Sequence, residues 1–204
     1  MKTYTITRVT GKPDWSGSPA LELTEPLKTP SDPVPVRAWT QVACNEQALL
    51  IRQWAQEPDI RAEHTGRYDP VCEDSCLEFF FSPVEGDKRY FNIEYNPNAS
   101  YYLGFGSPLG PLHRLTRSDG VDGFQARTAR SEGGWELTYQ IPYAFIRQFF
   151  PEFDPAPGRV IRANCYKCGD LTACPHWLSW NPVIPRVTGM SFHQPEYFGQ
   201  MTFG

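Results

Sequence analysis

No apolar run in this chain approaches the ~18 residues that a membrane-spanning helix needs, so no membrane partner is expected. Positive charge is not in excess. The formal net charge is −4 at pH 7, which gives no basic field for nucleic acid. No apolar segment follows the N-terminal MKTYTITRVT, so no secretory leader is read. With Met1 as the native start a cytoplasmic protein is expected; if an earlier start has been removed, an extracellular one. The chain also lacks internal repeats, charge runs and any recognisable linker, so residues 1–204 are read as a single domain.

What is abundant points to strands. Twenty prolines and 16 glycines interrupt the chain at short intervals, which argues against long helices. Thirteen Phe, ten Tyr and six Trp favour sheet and also supply flat surfaces for binding. Six cysteines stand at positions 44, 72, 76, 165, 168 and 174. Without a leader they are expected to be mostly reduced. Cys165-x-x-Cys168 followed by Cys174-x-His176 has the ligand types of a zinc site, but its second pair is irregular. The same Cys165–Cys168 pair as a redox couple would need a helix after it, and no helix pattern follows.

The stretch Val71–Asn96 (VCEDSCLEFFFSPVEGDKRYFNIEYN) organises the rest. It reads as two strands, Leu77–Ser82 and Arg89–Asn96, around a turn at 83–88. Alternation places Leu77, Phe79, Phe81, Phe91, Ile93 and Tyr95 on one face, a core face. Cys76, Glu78, Phe80, Asn92, Glu94 and Asn96 fall on the other. Carboxylates and amides fixed in mid-strand suit the donors and acceptors that sugar hydroxyls require. The competing reading is an ordinary solvated sheet face.

Further strands are read at Tyr4–Val9, Ala20–Leu23, Arg37–Ala43, Ala48–Ala55, Tyr101–Phe105, Gln125–Ser131, Trp135–Ile141, Arg159–Tyr166 and Tyr197–Phe203. Pro142 can occupy the first position of one short helix, Tyr143–Phe150. Residues 57–70, 106–122 and 168–191 read as loops. On Ala48–Ala55, Arg52 and Trp54 share a face and could join the polar face of the central hairpin; alternatively Trp54 caps the core edge and Arg52 pairs with an acid. The pattern predicts an all-β, two-sheet antiparallel β-sandwich, jelly-roll-like, with one short helix.

Four segments in order, DSCLEFFF (74–81), YFNIEYN (90–96), LSWNPV (178–183) and FHQPEYFGQMTF (192–203), resemble the family 9 carbohydrate-binding modules, and more closely the stand-alone bacterial proteins like them, within the DOMON-like β-sandwiches. The resemblance runs from Val36 to the C-terminus. It implies a sandwich that binds a carbohydrate between two tryptophans, with polar side chains beneath, and calcium in many members. By motif Glu78 matches the acidic strand residue, Glu94 and Asn96 the polar contacts of the next strand, and Trp180 the later stacking tryptophan. The segment before the acidic strand, 68–73, has no Trp, leaving Tyr68 or Trp54 for the first platform. No compact set of Asp and Asn matches the calcium sites, so no cofactor is assigned beyond the calcium the resemblance implies.

The leading expectation is therefore non-catalytic sugar binding, with Trp180 as platform and Arg52, Glu78, Asn92, Glu94 and Asn96 orienting the ring. His193 lies in the FH-x-P segment and could reach the site edge. Trp180 as a loop anchor is the competing reading. Two other activities stay open. Glu78 and Glu94 on paired strands could serve as the two carboxylates of a glycoside hydrolase. Haem binding, the superfamily's other habit, would draw an axial pair from His113, His176, His193 and Met190.

Overall fold

The computed structural model describes residues 1–11, 13–27, 35–66, 68–116, 120–185 and 192–204. In chain order the strands are β1 (Thr3–Arg8), β2 (Leu21–Glu22), β3 (Glu25–Pro26), β4 (Arg37–Cys44), β5 (Ala48–Gln56), β6 (Cys76–Ser82), β7 (Tyr90–Tyr95), β8 (Tyr101–Gly106) and β9 (His113–Arg114). They continue with β10 (Arg127–Ser131), β11 (Gly134–Pro142), β12 (Val160–Gly169), β13 (His176–Ser179) and β14 (Gly199–Phe203), with helix α1 (Tyr143–Phe149) between β11 and β12. No described helix is long and apolar enough to cross a membrane.

One sheet runs β10-β11-β5-β4, with β2 also on β4; the other runs β14-β12-β6-β7-β8-β9, with β13 on β12 and β3 on β13. Strand β1 joins them. Thr3–Ile6 pairs with β14 and Thr7–Arg8 with β4, both in parallel. The other pairings are antiparallel, so the all-antiparallel expectation is corrected at this corner. Parallel neighbours need long connections, and β1 meets strands far along the chain.

The two sheets face each other across one apolar layer. Alternation in β6 and β7 is as the sequence predicts: Leu77, Phe79, Phe81, Phe91, Ile93 and Tyr95 all enter this core. They meet Leu49 and Ile51 of β5 and Leu137, Tyr139 and Ile141 of β11. Each such large side chain contributes about 1.5–3 kcal/mol on burial. The opposite face of β6 and β7 is not the wet surface of an ordinary antiparallel sheet. A second apolar cluster, including Val71, Phe80, Tyr90, Tyr166, Phe192 and Phe198, covers part of it.

Four sequence readings shift locally. Pro142 is the last residue of β11 and caps α1 from outside the helix. Residues 168–191, read as loop, contain β13, and the short β9 lies inside the 106–122 excursion. β12 runs on to Gly169 because Lys167 finds partners that keep the strand in register. Its ammonium is wholly buried and donates to Glu57 Oε1 (3.1 Å), the Cys168 carbonyl (2.9 Å) and His176 Nε2 (2.7 Å). Trp135 Nε1 donates to the second Glu57 oxygen at 3.2 Å. Burial, then the Lys167 charge, pushes the His176 pKa down to about 4, so the ring is neutral and accepts from the ammonium. This cluster ties the end of β5 to β12 and β13.

A buried charge is tolerated here only because its partners are complete. Lys167→Met is expected to cost about 3–5 kcal/mol by leaving Glu57 uncompensated. Urea denaturation at neutral pH would measure it; a loss below 1 kcal/mol would show that the pair carries little of the fold.

Candidate ligand-binding site

The outer face of β7 and β8 forms the floor of a cavity of about 520 Å³. Tyr90, Asn92 and Glu94 reach it from β7 and Tyr102 from β8, where Tyr102 stands directly opposite Glu94. The loop before β6 supplies Tyr68, Asp69, Pro70, Val71 and Cys72 on one side. The segment after β8 supplies Ser107, Pro108, Gly110, Leu112 and Arg114, and His193 closes another edge. Gly104 sits opposite Asn92, and a Cβ there would lie 2.8 Å from the Tyr102 ring and 3.2 Å from Leu112. Its absence lets those two side chains lie close over the strand.

The loop carrying Tyr68 is pinned from below. Asp74 is fully buried and accepts from the Glu63 and His64 amides and from Asn96 Nδ2 (2.8 Å). Asn96 also donates to the His64 carbonyl and accepts from the Asn98 and Ser100 amides. All its hydrogen-bonding capacity is thus spent on protein, and it acts by holding the loop. Asp69 accepts from the Thr65 and Gly66 amides and tightens the next turn.

On the floor, Asn92 differs from its neighbours. It is 1% exposed, lines the cavity, and neither amide atom has a hydrogen-bond partner among the described residues. It lies close enough to Glu94 to favour the ionised carboxylate, without completing a bond. Glu94 is itself 5% exposed, and burial raises its pKa to about 7, with Asp170 raising and Asn92 and Arg114 lowering it. Glu78 is the direct cross-strand neighbour of Glu94. Burial and then the Glu94 charge push its pKa well above the usual carboxylate range, and its Oε1 accepts from the Cys168 thiol at 2.8 Å.

Aromatic walls are present, but they are tyrosines. The Arg114 guanidinium lies 4.7 Å from the Tyr102 ring centre and 5.2 Å from that of Tyr68. Tyr68 is 69% exposed at the rim. His193 Nδ1 is 2.8 Å from the Tyr90 hydroxyl, and its ring packs on Phe80.

The residues singled out from sequence therefore divide. Asn92, Glu94 and His193 come together on the cavity. Glu78 and Asn96 lie just beneath or beside it, on the same sheet face but not in the lining. Trp180 does not reach the cavity: it is 4% exposed in the main core, with its ring against Gly199, where a Cβ would come within 2.5 Å. It is a packing anchor rather than a platform. Arg52 and Trp54 are on the outer face of the other sheet, across the core. There Arg52 pairs with Glu136 at 2.5 Å and Trp54 stacks on Trp39 with ring centres 5.7 Å apart. The reason is topological, since β5 belongs to the β4–β11 sheet.

Tyr102 and Arg114 were not singled out. Alternation along β8 would have put Tyr102 beside Glu94, whereas Arg114 sits in a Gly- and Pro-rich stretch with no period to read. Of the histidines named for haem, His113 is exposed on β9, His176 is held by Lys167, and Met190 lies outside the described residues. Cys165 and Cys168, three apart on a strand, point to opposite faces, so the zinc and redox sets read around that pair are not assembled. Among the described residues, the one group of three metal-ligating side chains is Cys76, Glu78 and Cys168, whose thiols do not suit calcium.

A β-sandwich with a polar, aromatic-walled cavity on the outer face of one sheet is the class that fold and site define. Within that class the sequence model of carbohydrate-binding family 9 matches residues 35–203, and the chain belongs to that family. A Bacteroides uniformis protein, described as a candidate carbohydrate-binding protein, superposes with a TM-score of 0.79 at 25% identity, covering 100% of this chain and 99% of its own. A family 9 carbohydrate-binding module of Caldicellulosiruptor kristjanssonii, solved with cellotriose, gives 0.69 at 11% identity over 99% of this chain and 93% of its own. The glucose complex from the same organism gives 0.68 at 11% identity over 100% and 96%. No curated protein matches the sequence.

The Glu94 shift has a sign that can be checked. Its folded pKa lies above its ordinary value of 4.5, so the protonated form is the one the fold favours. That contribution is complete below about pH 4.5 and is lost as pH rises through about 7. Glu94→Gln removes the titration. In metal-free buffer the variant is expected to be more stable than wild type at pH 8, by an amount on the order of 3 kcal/mol at most, and no more stable at pH 4.5. Thermal denaturation at both values would measure this, and an equal difference at the two would contradict the assignment.

Proposed function

We propose that this cavity binds a carbohydrate without transforming it. The observation that carries this reading is Asn92. A buried amide without a protein partner is costly, by about 1–3 kcal/mol for each unmet group, unless something else meets its donor and acceptor. A vicinal pair of hydroxyls offers one acceptor and one donor in the right alternation. Glu94 next to it accepts when ionised and both donates and accepts when protonated, and Arg114 adds a charged donor at the wall. Tyr68 and Tyr102 offer ring faces to the apolar C–H side of a sugar, in the part that tryptophans were expected to play. Membership of carbohydrate-binding family 9 and the sugar complexes of the two structural neighbours support the ligand class.

The hydrolytic reading keeps one supporting observation: Glu78 and Glu94 are paired across strands, and a carboxyl with a pKa of about 7 suits a general acid. Against it, Glu78 does not line the cavity and is hydrogen-bonded to a thiol.

Calorimetric titration with gluco-oligosaccharides and a wider glycan set tests the proposal. One sugar class is expected to bind. Asn92→Ala is expected to weaken it about tenfold, as the loss of one to two hydrogen bonds predicts, and Tyr102→Ala comparably. Trp54→Ala, on the far sheet, should leave affinity unchanged. Failure of every glycan to bind, or unaltered affinity in folded Asn92→Ala, would overturn the assignment. Release of reducing sugar, abolished by Glu94→Gln, would replace it with the enzymatic one.

A further inference from the structure

Beneath the cavity floor the outer face of the sheet carries a second set of groups that sugar binding does not use. Cys76 on β6 and Cys168 on β12 are direct cross-strand partners. Glu78 is two residues further along β6, on the same face. A sulfur from each cysteine and a carboxyl oxygen of Glu78 all lie within 4.8 Å of one another. The three residues are 0%, 2% and 3% exposed, and both cysteines are free thiols. Cys168 Sγ donates to Glu78 Oε1, and no cation closes on that carboxylate within salt-bridge distance among the described residues. Burying a carboxyl against two thiols, on a sheet face where apolar residues are available, is expensive for packing alone.

We propose that Cys76, Cys168 and Glu78 form a binding site for one thiophilic divalent cation of the Zn²⁺ class. Two thiolates and one carboxylate are ligands that zinc accepts in four-coordinate sites, and three protein ligands leave one position for solvent. Thiolates disfavour Mg²⁺ and Ca²⁺, which take oxygen. The ion's 2+ charge would offset the two negative charges that appear when the thiols release their protons to solvent. Cys72 adjoins both the cluster and the cavity. It is half-buried, lines the cavity, and its carbonyl lies 3.7 Å from Cys168 Sγ. The ligand set was hidden in the sequence, because the Cys165–Cys168 spacing draws attention to the wrong partner. On a strand, Cys168 shares its side with Cys76 across the ladder and not with Cys165 three residues back.

The proposal does not depend on the sugar reading, and its test uses a different probe. Fully reduced, metal-free protein is titrated with Co²⁺ and followed by absorption. The expected result is one equivalent bound with a thiolate-to-cobalt charge-transfer band and tetrahedral visible bands, both displaced by Zn²⁺. Cys76→Ser and Cys168→Ser should each lower Co²⁺ affinity more than about a hundredfold, exceeding what loss of an outer-shell partner costs. Glu78→Gln should weaken it while leaving the thiolate band at saturation. Cys174→Ser, an exposed thiol elsewhere, and Cys72→Ser should leave band and affinity unchanged. Because a serine variant could fail to fold, proton release on Zn²⁺ addition to the wild type gives a second readout, with about two protons expected near neutral pH, one from each thiol. Absence of a thiolate band on folded reduced wild type, or persistence of the band in both Cys76→Ser and Cys168→Ser, would overturn the site. Loss of the band in Cys72→Ser would overturn this ligand set. Sugar affinity of the metal-free protein separates failure here from failure of the cavity assignment.

Discussion

Desolvation on both sides of β6 and β7 is the constraint from which the rest of the site follows. One face of these strands packs into the core, and the other is roofed by the turn at 71–73 and by Phe192 and Phe198. Polar groups on the roofed face cannot rely on water, so each needs a partner that the structure supplies or leaves open. Asn96 is satisfied entirely by loop amides, a carbonyl and Asp74, and its function is to fix the loop. Glu78 is met by a thiol. Asn92 has no partner among the described residues, stands beside a carboxyl whose pKa burial raises to about 7, and lines the cavity. Position along one strand pair thus sorts chemically similar residues into scaffold and site.

The walls depart from the arrangement that family resemblance implied. Indole rings are present in the chain, but Trp180 is enclosed by Gly199 and the core, and Trp54 pairs with Trp39 on the other sheet. The cavity is walled by Tyr68 and Tyr102 with a guanidinium between them. A tyrosine ring offers less area than an indole but adds a hydroxyl, and an arginine adds up to five donors. On the proposed function, these walls favour hydrogen bonding over stacking.

The central hairpin was legible in the sequence because alternation over six residues leaves only one assignment of faces when one set is Leu, Phe, Phe, Phe, Ile and Tyr. That reading puts Asn92 and Glu94 on the outer face and the apolar set in the core, as the structure has them. It failed where a residue's surroundings come from distant chain. Nothing local distinguishes the sheet to which β5 belongs, so the reading that sets Arg52 and Trp54 beside the central hairpin fails, while the alternative, Arg52 paired with an acid, is what the structure shows. Trp180 follows a short strand disguised by Pro and Cys, and its burial depends on a glycine nineteen residues later. Nothing local marks Lys167 as buried, because Glu57 and His176 reach it from outside its strand. Roofing of the polar face was equally invisible, because loops at 71–73 and 192–198 have no period.

The seam at β1 bears on how the molecule is made. Thr3–Ile6 takes its hydrogen bonds from Gly199–Phe203, nearly two hundred residues later, and the same strand then crosses to β4. During synthesis β4 and β5 can pair within one hairpin as soon as they emerge. The leading half of β1 waits for the last strand of the sheet, with its backbone donors and acceptors unmatched in the interval. Closure of the sandwich is therefore a late event, and β1, made before the other strands described, is among the last of them to find its place.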